Sequence, residues 1–405
     1  MAAIAGLRGS GDFGADERPT DFREYILWAE PNGMAPLNAL MSKMGSEAAS
    51  DPEFSWWEEK LQNPRLQVNG ALAVGATTAV VDAEDLSAGK HGALSLVAGD
   101  VLAVESANGI WVGELLVVSA NPTVDTQFTV SRGHAGSTAA AIADNAWLTR
   151  IGNVHSEGSL APKASTRNPT KLRNYCQIFK KAYEITETTK AIKGIRTGDP
   201  LKNDKKRKLF EIMAEMEMSM LYGRAHEATG ANGKPQRSTG GLLSFITTNR
   251  TEFGGGGTAW TEDNLIDFFA SVFNYDAMGA GNERLAFCGN AALTSINKLA
   301  RGSSSTRINF EGTVKAYGME LTKWVLPQGT YYLRTHPLFN VHPVLTKSLV
   351  ASNPKGIKER PLRKLKLKEN TQPRDADYES GYWIAETGLE VNFEETMAYG
   401  GNLGG

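Results

Sequence analysis

Residues 199–243 read DPLKNDKKRKLFEIMAEMEMSMLYGRAHEATGANGKPQRSTGGLL. Asp199 or Asn203 is placed to cap a helix, and Pro200 suits its first turn. Strong helix formers then run from Asp204 to about Thr229, where Gly230, Asn232 and Gly233 are read as the stop. Leu209, Met213, Met216 and Met220 recur at four-three-four spacing, and Phe210, Ile212 and Leu221 widen that apolar face. Glu211, Glu215 and Arg224 take the other side. At about 1.5 Å per residue such a helix reaches roughly 40 Å, long for an ordinary domain. Two readings fit: a core helix followed by a loop, or a backbone helix shared by two domains with an exposed loop at its far end.

Working outward, 405 residues suggest two or three domains. A hydrophobic content of 41% is enough for real cores. The formal net charge of -2 is not that of a protein built to grip nucleic acid. The two cysteines, Cys176 and Cys288, lie far apart and offer neither a disulfide framework nor a CxxC metal site. Residues 1–10 have no sustained apolar run, and no stretch is long and apolar enough to span a membrane. The expectation is a soluble chain made in a reducing cytoplasm.

The first 61 residues read as an arm, with small residues up to Pro19. Asp21–Trp28 is a candidate short helix ended by Pro31-Asn32-Gly33. In Ser55-Trp56-Trp57 the adjacent indoles cannot share one face of a helix or strand. At least one is expected to pack outside the segment, on the chain's own core or on a neighbouring copy. From Leu66 to Ile151 the composition shifts to Ala, Val, Gly and Thr. Strands are expected at 79–82, 100–105, 113–118, 127–131 and 146–151, with a hairpin turn at Ala107-Asn108-Gly109-Ile110. Regular short strands suggest a small β-barrel or sandwich. Residues 152–174 are polar and loop-like, and Tyr175–Ile185 reads as a strand or short helix. Helices are expected over 262–274, capped by Thr258 or Thr261, and over 291–300, capped by Asn290. Further strands are expected at 285–288, 319–325, 330–333 and 341–344.

Catalytic patterns fail on inspection. Pro235 after Lys234 breaks a phosphate-binding loop, and Gly254–Gly257 follows no clear strand. Pro354 sits inside Ser352-x-x-Lys355. His336 and His342 each precede a proline, which points to loop roles rather than a metal. The chain is read as a non-enzyme needing no cofactor. Lys364, Lys366 and Lys368 alternate with Leu365 and Leu367, placing the lysines on one strand face. In Leu389-Glu390-Val391-Asn392-Phe393-Glu394 the acids are expected to point outward and Leu389, Val391 and Phe393 inward. The two runs are expected to pair antiparallel beneath the long helix. Their charged faces are then either solvated or set against the next subunit or genome phosphates.

The order of Asn174-Tyr175-Cys176-Gln177-Ile178-Phe179, Tyr183-Glu184-Ile185-Thr186-Glu187-Thr188, the long acidic helix and Arg237-Ser238-Thr239-Gly240-Gly241-Leu242 resembles tailed-phage major capsid proteins of the HK97 type. The run 381–401 is similar to the same branch. The resemblance covers most of the chain outside residues 66–151. It implies an α+β HK97-like capsid fold carrying an inserted small β-barrel or sandwich. The arm would be 1–61, and the extended loop 62–175 with the insert at about 66–151. The peripheral domain would be 176–237 with 351–395, its spine helix at 204–229. The axial domain would be 238–350 and the tail 396–405. It implies hexamers and pentamers of an icosahedral head assembled in the host cytoplasm and carried in the virion. Portal, scaffolding and decoration proteins, and packaged double-stranded DNA touched without sequence preference, would be the other partners. Candidate subunit-interface residues are Phe22, Arg23, Trp28, Trp56, Trp57, Arg167, Lys171, Arg173, Arg237, Lys364, Lys366, Lys368 and Glu390. The rival readings are an encapsulin-like compartment shell and a surface- or carbohydrate-binding protein acting through the β-rich insert.

Overall fold

A computed structural model describes residues 40–41, 44–59, 65–85, 89–164, 169–191, 199–274, 281–302, 310–316 and 319–404. The expected helix over 21–28, with Phe22, Arg23 and Trp28, and also Arg167, lies outside them. The fold is mixed α+β and richer in strand than in helix. The chain divides into two compact units, Met1–Trp56 with Lys171–Gly405, and Trp57–Thr170.

In chain order, the first unit begins with β1 (Gly45–Ser46) and β2 (Glu53–Glu58). The second unit supplies β3 (Arg65–Gln67), β4 (Thr78–Val80), β5 (Asp100–Glu105), β6 (Trp111–Val118), β7 (Gln127–Ser131) and β8 (Trp147–Asn153). They form one sheet in the order β3-β8-β5-β6-β7-β4. A bridge between Val68 and Val81 joins its two edges, as do the Asn69 N–H to the Val80 carbonyl at 3.0 Å and the Asp82 N–H to the Gln67 carbonyl at 2.9 Å. The sheet therefore closes on itself, which removes its open edges. Leu66, Leu102, Val104, Leu116, Phe128 and Leu148 fill the interior. Arg132 inserts beside Glu114. Its Nε and Nη2 donate to the carboxylate at 2.6 and 2.8 Å, and Nη1 donates to the Ala73 carbonyl at 2.7 Å.

The first unit resumes with β9 (Thr170–Tyr175), β10 (Gln177–Thr186), α1 (Glu187–Ala191) and α2 (Pro200–Tyr222). The Asp199 carboxylate accepts the Leu201 N–H at 3.0 Å, a cap worth about 1 kcal/mol. The helix ends at Tyr222, with Gly223 as its C-cap, not at Thr229. A Cβ at Gly223 would lie 2.4 Å from the carbonyl oxygens of both Ser219 and Thr239. The backbone of 239–241 is packed against the helix end and turns the chain away. The next residues form β11 (His226–Thr229), paired antiparallel with β12 (Pro235–Ser238). The glycines read as a helix stop make the turn of this ribbon, with Gly233 at φ 70°.

The rest comprises α3 (Leu242–Phe245), β13 (Arg250–Glu252), α4 (Glu262–Ser271), β14 (Glu283–Cys288), α5 (Asn290–Gly302), β15 (Phe310–Ala316), β16 (Met319–Val325), β17 (Thr330–Thr335), α6 (Pro337–Val341), β18 (Leu349–Ser352), β19 (Ile357–Lys368), β20 (Tyr378–Val391) and β21 (Ala398–Gly401). The strand expected at 341–344 is absent. His336 caps α6, Pro337 occupies its first turn, and a second proline at 343 keeps the following residues out of a ladder. Val341 and Val344 are exposed.

Seven strands form a mixed sheet, β13-β21-β18-β14-β17-β16-β15. Period-two alternation divides its side chains between two cores. Leu285, Phe287, Tyr332 and Val350 meet Met220, Leu221, Leu242 and Phe339 on one face. Ala286, Cys288, Tyr331, Leu333, Leu349 and Ala351 meet Leu265, Phe268 and Phe269 of α4 and Ala292 and Ile296 of α5 on the other. A second sheet runs β1-β19-β20-β10. Phe179, Ala385, Leu365 and Trp383 pack it against Leu209, Ile212, Met213 and Met216 of α2.

Candidate assembly surfaces

Two quoted motifs, far apart in sequence, meet in one buried joint. The Asn174 Nδ2 group donates to Thr239 Oγ1 at 3.2 Å, to the Gly240 carbonyl at 2.9 Å and to the Leu389 carbonyl at 2.6 Å. Its Oδ1 accepts the N–H groups of Tyr175 at 2.8 Å and Gly240 at 2.7 Å. Gln177 Oε1 accepts the Thr239 N–H at 3.1 Å, and Thr239 Oγ1 accepts the Leu389 N–H at 3.3 Å. One carboxamide thus satisfies backbone groups from three segments, which explains why Asn174-Tyr175 and Thr239-Gly240-Gly241 occur in one chain. Gly241 admits no side chain: a Cβ would stand 2.6 Å from Gly223 N and 2.8 Å from the Leu221 carbonyl carbon.

Around this joint the predicted interface residues separate into covered and open sets. Trp56 is buried between Phe54, with ring centroids 6.1 Å apart, and Phe245, at 5.7 Å, whereas Trp57 is 62% exposed. Lys171 is exposed, and Arg173 is exposed with Nη1 3.5 Å from Glu53. Arg237 pairs with Glu227 across the β11–β12 ribbon at 2.7 Å. Lys364, Lys366 and Lys368 are exposed along β19 while Leu365 and Leu367 are half-buried. Strands β19 and β20 pair antiparallel, but not through the two runs expected: Lys366 and Lys368 stand opposite Ile384 and Tyr382, while Leu389 and Glu390 stand opposite Glu359 and Lys358.

Two expectations for the last strand are corrected. Glu390 does not point outward: it is buried, receives Arg360 Nε at 2.5 Å and Asn392 Nδ2 at 3.0 Å. Phe393 does not face the helix. The strand ends at Val391, and Phe393 adopts φ 52° at a turn and is half-buried. A single period-two reading cannot see where a strand stops.

Residues that spacing did not mark are Glu217 and His336. Both are fully buried, and His336 Nε2 lies 3.0 Å from Glu217 Oε1. Glu217 lies four residues after Met213 and three and four before Met220 and Leu221, so the signal in the sequence was an acid set within the apolar stripe of α2. His336 is in a loop as expected, but at the centre of a core rather than on a surface.

Two exposed features lie on the first unit, the lysine face of β19 and the β11–β12 ribbon, and exposed Trp57 is the first residue of the second. On the second unit, Ile110, Trp111 and Val112 form an exposed apolar tip after the β5–β6 turn, with Trp111 53% exposed. The thiols are not reactive groups. Burial, with Glu386 and Asp51 nearby, pushes Cys176 up to about 11, and burial pushes Cys288 up to about 12. No cluster of His, Cys, Asp and Glu suited to a metal occurs among the described residues. Nor is any described helix long and apolar enough to cross a membrane.

The sequence profile of SU10 major capsid proteins matches residues 11–404. The chain belongs to the SU10 major capsid protein family. The resemblance to major capsid proteins of tailed phages is thereby confirmed at the level of the family, and the chain is a structural, capsid-forming protein. The major capsid protein of Pseudomonas phage PaMx41 is 26% identical over 324 residues, covering 79% of this capsid protein and 73% of that one. Among solved structures, the capsid of Myoviridae phage XM1 aligns over 95% of this chain and 97% of its own, at 11% identity and TM-score 0.44. The SrpI encapsulin complex of Synechococcus elongatus PCC 7942 aligns over 59% and 77%, at 12% identity and TM-score 0.40. The family assignment rests on the sequence match.

Proposed function

We propose that this capsid protein builds a closed icosahedral head, as hexamers and pentamers of itself, around double-stranded DNA. The match to a major capsid protein family over residues 11–404 carries this reading. The role is structural, without catalysis or a cofactor, and assembly takes place in the host cytoplasm before the chain resides in the virion. The first unit provides the peripheral part, with α2 as its spine, and the axial part, built on the seven-stranded sheet. The second unit is an insert in an extended loop, braced against neighbouring copies. The ribbon, the lysine face, Trp57, Arg173 and the tip at Ile110–Val112 are the contact surfaces, with portal, scaffolding and decoration proteins as further partners.

Several features support the use of these surfaces. A largely exposed two-stranded ribbon is marginal in water and gains from a partner. A shell subunit also needs contacts that do not close within one copy. Electron microscopy of the purified chain tests the proposal: closed shells are expected. Soluble particles that bind glycans through the second unit would overturn it. Empty shells that never take up DNA would identify a compartment rather than a phage head. Replacing 226–237 by a short turn is expected to leave the subunit folded and to abolish closed shells.

A further inference from the structure

Glu217 is 0% exposed in the last third of α2. Both of its carboxylate oxygens accept hydrogen bonds. Oε1 takes the Leu40 N–H at 2.7 Å and faces His336 Nε2 at 3.0 Å, and Oε2 takes the Met41 N–H at 3.2 Å. His336 Nδ1 accepts the Leu338 N–H at 3.2 Å, so the ring proton resides on Nε2 and is donated to Glu217. Among the described residues no lysine or arginine bridges to this carboxylate. Its solvation is replaced by three N–H donors, two of them from the backbone of Leu40 and Met41. Leu40 is itself 2% exposed and shares a core with Met220, Leu221 and Phe339. The His336 ring lies 4.8 Å from that of Phe339 and 5.6 Å from that of Phe287.

Removing 40–41 would leave a buried carboxylate with one donor of three, a state disfavoured by the cost of an uncompensated buried charge. Water must then enter, and the site it enters is the one that holds His336 and the first turn of α6. We propose that Glu217 is a latch: Leu40 and Met41 can leave α2 only together with opening of the His336 turn and hydration of the carboxylate. Two segments, 177 and 119 residues from Glu217, thereby move together, and Leu40–Met41 is either docked or released with no partly attached state. The proposal concerns a single subunit and stands independently of the shell reading.

Native-state amide exchange on the full-length, unassembled chain, in increasing sub-denaturing denaturant, tests it. The Leu40, Met41 and Leu338 amides are expected to share one opening midpoint and one denaturant slope. That opening should occur well before the opening of the Leu389 amide, which reports the body of the unit. In Glu217→Gln, one carboxylate acceptor becomes an N–H group facing another N–H. All three amides should then exchange at least tenfold faster, with the Leu148 amide of the second unit unchanged. Separate isotherms for Leu40 and Leu338, a shared isotherm that coincides with that of Leu389, or an acceleration confined to Leu40 and Met41 would each overturn the latch. If Glu217→Gln fails to fold, the wild-type isotherms decide the question alone.

Discussion

The Asn174 side chain donates to the carbonyl of Leu389 at 2.6 Å, across 215 residues of sequence. The same carboxamide holds Gly240 and Tyr175, so its removal orphans several buried backbone groups at once. Each such group costs about 1–3 kcal/mol. Asn174→Ala is expected to lower subunit stability by about 3 kcal/mol or more, read as a shift in denaturation midpoint. Asn174→Asp should be similarly damaging, because a carboxylate cannot donate to the three acceptors. A change below about 1 kcal/mol in both would mean that water replaces the side chain.

Gly241→Ala tests the close approach of the 239–241 backbone to the end of α2. The new methyl group would meet only backbone atoms, at 2.6 to 2.8 Å. Overpacking of this kind costs about 1–3 kcal/mol. Gly233→Ala has open space around its Cβ but a φ of 70°, so it should be milder and confined to the ribbon. Thermal melting of both variants separates collision from conformational strain.

On the sheet beneath α2, inward and outward faces should differ sharply. Phe179→Ala is expected to cost about 3–5 kcal/mol, since the ring is buried against Ile212 and Met216. Lys366→Ala should change subunit stability by less than about 0.5 kcal/mol. Reversal of charge at Lys364, Lys366 and Lys368 together should leave the melting curve in place and alter the yield of shells. A destabilised subunit would show that these lysines support the fold itself.

The second unit, 57–170, is expected to fold alone and to show β-type circular dichroism with a cooperative transition. Within it, Arg132→Ala should cost about 3–5 kcal/mol, by stranding the buried Glu114 carboxylate. Burial pushes Glu114 up, but Arg132 and the Ala140 and Gly133 N–H groups outweigh it and hold the carboxyl below its usual value. A group depressed in this way stabilises the fold above its unfolded value, near 4.5, and that contribution is lost as pH falls through the folded value. The fragment should therefore lose stability on acidification below about pH 4.5, and Arg132→Ala should flatten that dependence.

The thiols set the alkaline limit. With Cys176 raised to about 11 and Cys288 to about 12, both keep their protons where the unfolded chain, near 9.0, has lost its own. The unfolded state then binds fewer protons, so stability falls as pH rises from about 9 toward 11. Native protein at pH 8 should resist alkylation at both positions, while denatured protein reacts at both. Rapid labelling of native Cys176 would contradict its burial.

What sequence alone determined were features with a local cause. The β5 and β7 strands, the cap at Asp199 with Pro200, the Asn108-Gly109 turn and the outward lysines of β19 all follow from period, capping chemistry or turn chemistry within a few residues. The order of motifs carried the family in the same way. What only the tertiary structure decided depends on atoms distant in the chain. The helix stops at Tyr222 because residues 239–241 press on its end at Gly223. Glu390 turns inward because Arg360 waits there, and Glu217 can stay charged on the apolar face of α2 because Leu40, Met41 and His336 bring it three donors. Local preference is worth tenths of a kcal/mol per residue, whereas a backbone collision or an unpaired buried charge is worth several, so the distant contact wins.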